Sequence, residues 1–275
     1  MPDSRPIGIF DSGVGGLTVA RAVLDLLPGE PIVYVGDGAR FPYGPRPLEE
    51  IRRFALEIAG YLVHRGVKMI VVACNSVEVA AIAEVTDAAG VPVVGVIDPG
   101  VRAAVRATRN GRVGLIGTEA TVRSGAYERA VAATGADVEL VSRACPAFVE
   151  FVERGDTSSP ELLAAARGYL EPLRAAGVDT LILGCTHYPL LSGAISYVMG
   201  DGVVLVSSAE ATATEVYGAL LREGLLRSDG PPPAHEWLTT GDPVAFEALA
   251  RRFLWPDVHD VRAAQAEPVG GGRWS

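Results

Sequence analysis

The stretch Gly66-Val67-Lys68-Met69-Ile70-Val71-Val72-Ala73-Cys74-Asn75-Ser76 is echoed by Gly177-Val178-Asp179-Thr180-Leu181-Ile182-Leu183-Gly184-Cys185-Thr186-His187. Each copy runs from a glycine through an unbroken apolar segment to a cysteine, then to hydrogen-bonding side chains. An apolar run without alternation is the pattern of a strand buried on both faces, as in a parallel sheet. A second echo pairs Ile7-Gly8-Ile9-Phe10-Asp11-Ser12 with Val113-Gly114-Leu115-Ile116-Gly117-Thr118 at a similar offset. Together the echoes predict two α/β units of one design. The competing explanation is that any two strand-helix units look alike. It fits the first-strand pair better than the pair that aligns cysteine with cysteine.

Further strand-like runs lie at 32–35, 93–97, 138–141 and 203–206, and amphipathic segments of helical length at 48–65, 121–134 and 160–176. The expected fold class is therefore α/β: two similar domains, each a mostly parallel sheet flanked by helices. They would be related by a pseudo-twofold axis with the active site at the interdomain cleft. The domains are expected at 1–98 plus 208–263 and at 99–207. The chain would cross at the Asp98-Pro99-Gly100 turn and return at Ser207-Ser208-Ala209-Glu210. Pro231-Pro232-Pro233 reads as a stiff surface linker and 264–275 as a disordered tail.

The 275 residues are 49% hydrophobic and 21% charged, the balance of a folded globular protein of about two domains. The net charge of −9 argues against a broad basic footprint for nucleic acid. No signal-peptide pattern and no apolar run of roughly 18 residues occurs, so the expectation is a cytoplasmic protein that does not engage a membrane. Three widely spaced cysteines read as free thiols in a reducing compartment. Without a CxxC, and with the four histidines dispersed, no metal site is expected.

Phe10-Asp11-Ser12-Gly13-Val14-Gly15-Gly16-Leu17-Thr18, with Asp37 ending the next strand, looks like a dinucleotide fingerprint. It fails in detail: Thr18 takes the third glycine position, and Asp11 puts a carboxylate where a pyrophosphate would sit. The glycines instead suggest close backbone approach, and the helix N-terminus suits a ligand carboxylate. Cys74 and Cys185 each close an apolar strand. Were the two strand ends to meet across one cleft, the thiols would serve as an acid and a base. A free thiol is only a few per cent thiolate at neutral pH, so each needs help. Asp11 is placed to assist Cys74, or to cap a helix. His187 is placed to assist Cys185, or to be structural. Cys145, before Pro146, reads as structural.

These segments, together with Phe41-Pro42-Tyr43-Gly44, Cys145-Pro146-Ala147-Phe148-Val149 and Leu183-Gly184-Cys185-Thr186-His187-Tyr188-Pro189-Leu190, resemble those of the bacterial glutamate racemases over about 7–217. The resemblance implies a racemase independent of pyridoxal phosphate and of metal that interconverts L- and D-glutamate, the D-isomer feeding peptidoglycan synthesis. It implies catalytic thiols at Cys74 and Cys185, with Asp11 and His187 beside them. Substrate contacts would be Asp11, Ser12, Pro42, Tyr43, Gly44, Asn75, Ser76, Thr186 and His187. Thr118 and Thr121 would extend the pocket, and Glu153 would lie near the histidine. Family members are generally homodimers, and some bind DNA gyrase. Two departures stand out. Ser76 replaces the usual threonine, and Glu78 brings a charge to the start of its helix, which puts substrate affinity in question.

The chemistry is consistent with this. Racemisation takes a proton from one face of the α-carbon and returns one to the other, so it needs a base and an acid facing each other. Pyridoxal phosphate would need a Schiff-base lysine. The sole lysine, Lys68, precedes its strand at the end away from Cys74, so no cofactor is expected. The carbanion would then rely on fixed N–H and O–H donors in a site closed to water. Other readings remain: a racemase of another acidic amino acid such as aspartate, a Cys-His hydrolase in which Cys74 is dispensable, and a protein-binding module such as a gyrase inhibitor.

Overall fold

The computed structural model describes residues 3–228, 230–254 and 258–264. The first unit runs β1 (Ile7–Asp11), α1 (Leu17–Leu26), β2 (Ile32–Gly36), α2 (Leu48–His64), β3 (Met69–Val72), α3 (Asn75–Ala89) and β4 (Val93–Val94). Helix α4 (Ile97–Ala107) leads into β5 (Arg112–Gly117), α5 (Glu119–Arg123), α6 (Ala126–Thr134), β6 (Glu139–Ala144), α7 (Ala147–Glu153) and α8 (Pro160–Ala175). There follow β7 (Thr180–Gly184), α9 (Ser192–Met199), β8 (Val204–Ser207), α10 (Ser208–Arg222), β9 (Glu236–Thr239), α11 (Pro243–Leu254) and β10 (Arg262–Ala263).

The strands form two sheets, ordered β10-β9-β2-β1-β3-β4 and β6-β5-β7-β8, with every pairing parallel. The segments β2-β1-β3-β4 and β6-β5-β7-β8 share one order, so the echo in the sequence is a repeat of topology. Its local cause is visible at the two glycines. Gly66 ends α2 at φ +72° and Gly177 follows α8 at φ +70°, the left-handed conformation that a side chain resists. Each is followed by a buried valine and then by the all-buried strand β3 or β7.

Each sheet is covered on both faces. On the first, α1 and α10 pack over one side of β1 and β3, while α2 and α3 cover the other. On the second, α7, α8 and α9 cover one side and α4 with α6 the other. Truncating a strand residue such as Ile70 or Ile182, both fully buried, would cost about 2–5 kcal/mol.

Several sequence expectations are corrected in detail. Asp98, Pro99 and Gly100 form the first turn of α4, where proline costs the helix nothing, rather than a free turn. The run at 93–97 is a two-residue strand whose end joins α4. The segment at 121–134 is two helices, because Gly125 at φ +66° breaks it. No strand is expected from the sequence beyond 206, whereas β9 and β10, joined by α11, extend the first sheet on its β2 edge. Pro231 and Pro232 are exposed. Of the tail expected at 264–275, all but residue 264 lies outside the described residues.

Lys68 is fully buried at the N-terminal end of β3. Its Nζ pairs with Glu30 at 2.6 Å and donates to the carbonyls of Asp3 and Leu225 at 2.7 and 2.8 Å. Removing either partner of such a pair costs about 3–5 kcal/mol by stranding the other charge. The lysine is thus committed to structure, at the opposite end of its strand from Cys74.

Candidate active site

Cys74 follows β3 and is the N-cap residue of α3, and Cys185 follows β7. Because equivalent strands end at equivalent places, the two thiols come to one cavity of about 550 Å³. Both are nearly buried, at 6% and 7% exposure. Ser12, Asn75 and Ser76 line the cavity from the first unit, Thr118 and Thr186 from the second. Pro42, Tyr43 and Gly44 form part of its wall, as do Glu153 and His187.

Asp11 and Thr121, both fully buried, stand behind that wall. Asp11 accepts hydrogen bonds from the Gly13 N–H at 3.0 Å and the Thr186 hydroxyl at 3.2 Å, which ties the two units together. Thr121 receives the Thr118 hydroxyl at 3.0 Å, while Ser76 and Thr118 share a hydrogen bond of 3.0 Å across the cleft. Ser76 therefore keeps the hydroxyl contact that a threonine would offer.

The two thiols have different surroundings. Cys74 donates to Ser12 Oγ at 3.6 Å. Burial first, and the Asp11 carboxylate second, hold the Cys74 thiol well above its ordinary pKa, outweighing the Val77 N–H and the Ser12 hydroxyl. Cys185 Sγ lies 3.9 Å from His187 Nδ1, and His187 Nε2 lies 2.8 Å from Glu153 Oε1. Burial disfavours the imidazolium, but the Cys185 and Glu153 hydrogen bonds prevail and raise His187 to about 10. The Phe41 ring stacks on the imidazole at 5.7 Å, and Phe253 meets its edge at 6.4 Å.

Tyr43 donates to the buried Asp37, which also accepts from Arg40 Nε at 2.6 Å and the Thr240 hydroxyl at 2.5 Å. Asp37, considered above only as the acidic end of a nucleotide motif, therefore fixes the Tyr43 loop. The glycine-rich loop also has a different purpose from the one expected. A Cβ on Gly15 would lie 2.4 Å from Thr186 Oγ1 and 2.5 Å from His187 Nδ1, so that glycine admits the Cys185 turn and not a ligand. Of residues 10–18 only Ser12 reaches the cavity.

Glu78 points away from the cavity. Its Oε2 accepts the N–H groups of Val96 and Ile97 at 2.5 and 3.0 Å, capping α4, and the absent Cβ of Gly95 leaves it room. The extra charge thus serves a helix terminus. Burial pushes the Glu78 carboxyl up to about 7 in spite of those two donors.

Cys145 packs in the second core, with its thiol pushed up to about 12 by burial. Sequence reasoning missed Phe41, Pro45, Glu119, Pro146, Val149, Glu150 and Arg154 on the cavity wall. Phe41 and Val149 fall in motifs already quoted, whereas Glu150 and Arg154 carry no local signal. Among the described residues no group of three or more His, Cys, Asp or Glu could hold a metal ion, and no helix is long and apolar enough to cross a membrane.

Two repeated α/β units with parallel sheets, each bringing a cysteine to one shared cavity, place the chain in the racemase class of α/β proteins. The Asp/Glu/Hydantoin racemase family model matches residues 17–216, and the chain belongs to that family. It is 61% identical to the glutamate racemase of Beutenbergia cavernae over 271 residues, covering 94% of this chain and 92% of that one. Among solved structures, the glutamate racemase of Thermus thermophilus in complex with β-chloro-D-alanine superposes with a TM-score of 0.87 at 50% identity, covering 98% of this chain and all of that one. The Francisella tularensis glutamate racemase in complex with D-glutamate gives 0.91 at 32% identity, covering 97% and 100%.

Proposed function

We propose that this chain is a glutamate racemase that moves the α-proton between Cys74 and Cys185 without pyridoxal phosphate. The observation that carries the reading is that Cys74 and Cys185, at the ends of equivalent strands, line the same cavity. The thiolate on one side takes the α-proton, and the S–H on the other delivers its own to the opposite face. The roles exchange with the enantiomer bound. Hydroxyl and amide donors from Ser12, Asn75, Ser76, Thr118 and Thr186 hold the substrate carboxylates and the developing carbanion. The protonated His187 favours the Cys185 thiolate and returns a proton to it, whereas the Asp11 carboxylate takes the proton from Cys74 when that thiol acts as the base.

The same reading takes 1–98 plus 208–263 and 99–207 as the two domains, and a cytoplasmic homodimer that supplies D-glutamate for peptidoglycan as the working form. The racemase assignment itself is supported by a relative named glutamate racemase that is 61% identical over 94% of this chain. Incubating purified protein with either glutamate enantiomer in D2O, with no added cofactor, tests it. Deuterium should enter the α-position as the opposite enantiomer accumulates. A protein that racemises neither enantiomer would overturn the assignment.

A further inference from the structure

Asn75 is 2% exposed and lines the cavity, yet its Nδ2 has no hydrogen-bond partner. The other end of the same amide is held firmly: Tyr127, from α6 of the opposite unit, donates its hydroxyl to Asn75 Oδ1 at 2.6 Å. Tyr127 is fully buried in the core formed by α4, α6 and the second sheet. It belongs to no motif and does not line the cavity.

We propose that Tyr127 is a positioning residue which fixes the orientation of the Asn75 amide across the cleft, so that the pocket presents an N–H donor to a substrate carboxylate. This rests on the reading of the cavity as an amino-dicarboxylate site. A primary amide has two orientations of nearly equal shape but opposite polarity. Rotated by half a turn, Asn75 would turn an acceptor oxygen toward the cavity and leave the phenol hydrogen without an acceptor. Either consequence carries the cost of an unsatisfied or repelled buried group. Burial first, and the charge of nearby Glu78 next, hold the phenol pKa far above its usual range, so the hydroxyl remains a donor throughout the working pH range. The orphan Nδ2 hydrogens are then completed by ligand, and only when the two units are correctly docked.

The test uses the full-length protein, with Tyr127→Phe, Asn75→Ala and the double variant assayed for glutamate racemisation in both directions. Tyr127→Phe should raise KM for both enantiomers about tenfold while kcat changes less than about threefold, because one oriented hydrogen bond to a charged group is lost. Asn75→Ala should raise KM at least as much, and the double variant no further, since Tyr127 acts through Asn75. A KM within twofold of the parent for Tyr127→Phe, or losses that multiply in the double variant, overturns the proposal. Should Tyr127→Phe not fold, Asn75→Asp decides it. That change keeps the acceptor for Tyr127 but removes the unpartnered amide donor, so KM should rise by more than tenfold, and an unchanged KM refutes the role. An inactive parent protein would instead sink the racemase reading itself.

Discussion

The turn after β3 and the turn after β7 occupy the same place in two copies of one topology, yet they surround their thiols differently. At Cys74 the neighbours are a buried carboxylate, Asp11, and a hydroxyl, Ser12, and burial with Asp11 keeps the sulfur protonated. At Cys185 the neighbour is an imidazole backed by Glu153, protonated well above neutral pH. After Cys74 the chain enters α3 at once, whereas after Cys185 it makes a short 3-10 turn at Tyr188–Leu191 before α9. The backbone supplies symmetry, and the side chains around the sulfurs break it.

The comparison breaks most completely at the sulfurs. Cys74→Ser and Cys185→Ser should each lower racemisation by about 10²–10⁴-fold, the range of a lost general acid or base. Full activity in either variant would remove that residue from the mechanism. A finer distinction comes from the partners. Asp11→Asn and His187→Asn should each slow turnover by roughly 10²-fold. With α-deuterated substrate the two variants should raise the isotope effect for opposite enantiomers, since each impairs one sulfur. The same enantiomer affected in both would mean that the partners do not divide between the thiols.

Glu153→Gln sharpens the Cys185 side. His187 has a raised pKa in the folded protein, so its charged form stabilises the fold fully below about 6.5 and loses that contribution as pH rises through about 10. Removing Glu153 should move the alkaline limb of the pH–rate profile down by about one unit. A limb that stays in place would show that Cys185 alone holds the imidazolium.

Glu78→Gln is the smallest and serves as a control outside both turns. A carboxyl raised from its usual 4.5 to about 7 contributes most below pH 4.5 and loses that contribution as pH rises through 7, a change of about 3 kcal/mol. Urea unfolding of the parent should weaken between pH 5 and 7.5 relative to the glutamine variant, while racemisation stays within about twofold. Parallel pH curves for the two proteins would show that Glu78 titrates normally.

Much of this was legible along the chain because it is local. An apolar run closed by cysteine, and a glycine before it, encode strand, helix end and thiol within a dozen residues, so both sulfurs and the polar residues directly after them could be named in advance. Other features follow from contacts between distant segments. Gly15 is glycine because Thr186 and His187 press against it. Asp37 matters because Tyr43, Arg40 and Thr240 converge on it. Strand β9 is four residues long and is a strand because the edge of β2 offers it hydrogen bonds. Glu78 read from sequence as a charge near the pocket, and only packing turned it toward α4.

What the sequence determined by itself was the repeat: two strand-turn-helix units, each ending in a thiol with polar neighbours, set by hydrophobic period and glycine placement. What only the tertiary structure decided was the asymmetry between them and the orientation of the groups that face the cavity. The reason is physical. Propensity and periodicity act over a few residues, whereas desolvation, charge and hydrogen-bond orientation at a sulfur or an amide depend on whichever atoms the fold brings within a few ångströms, here from 34 residues away at Glu153 and 52 residues away at Tyr127.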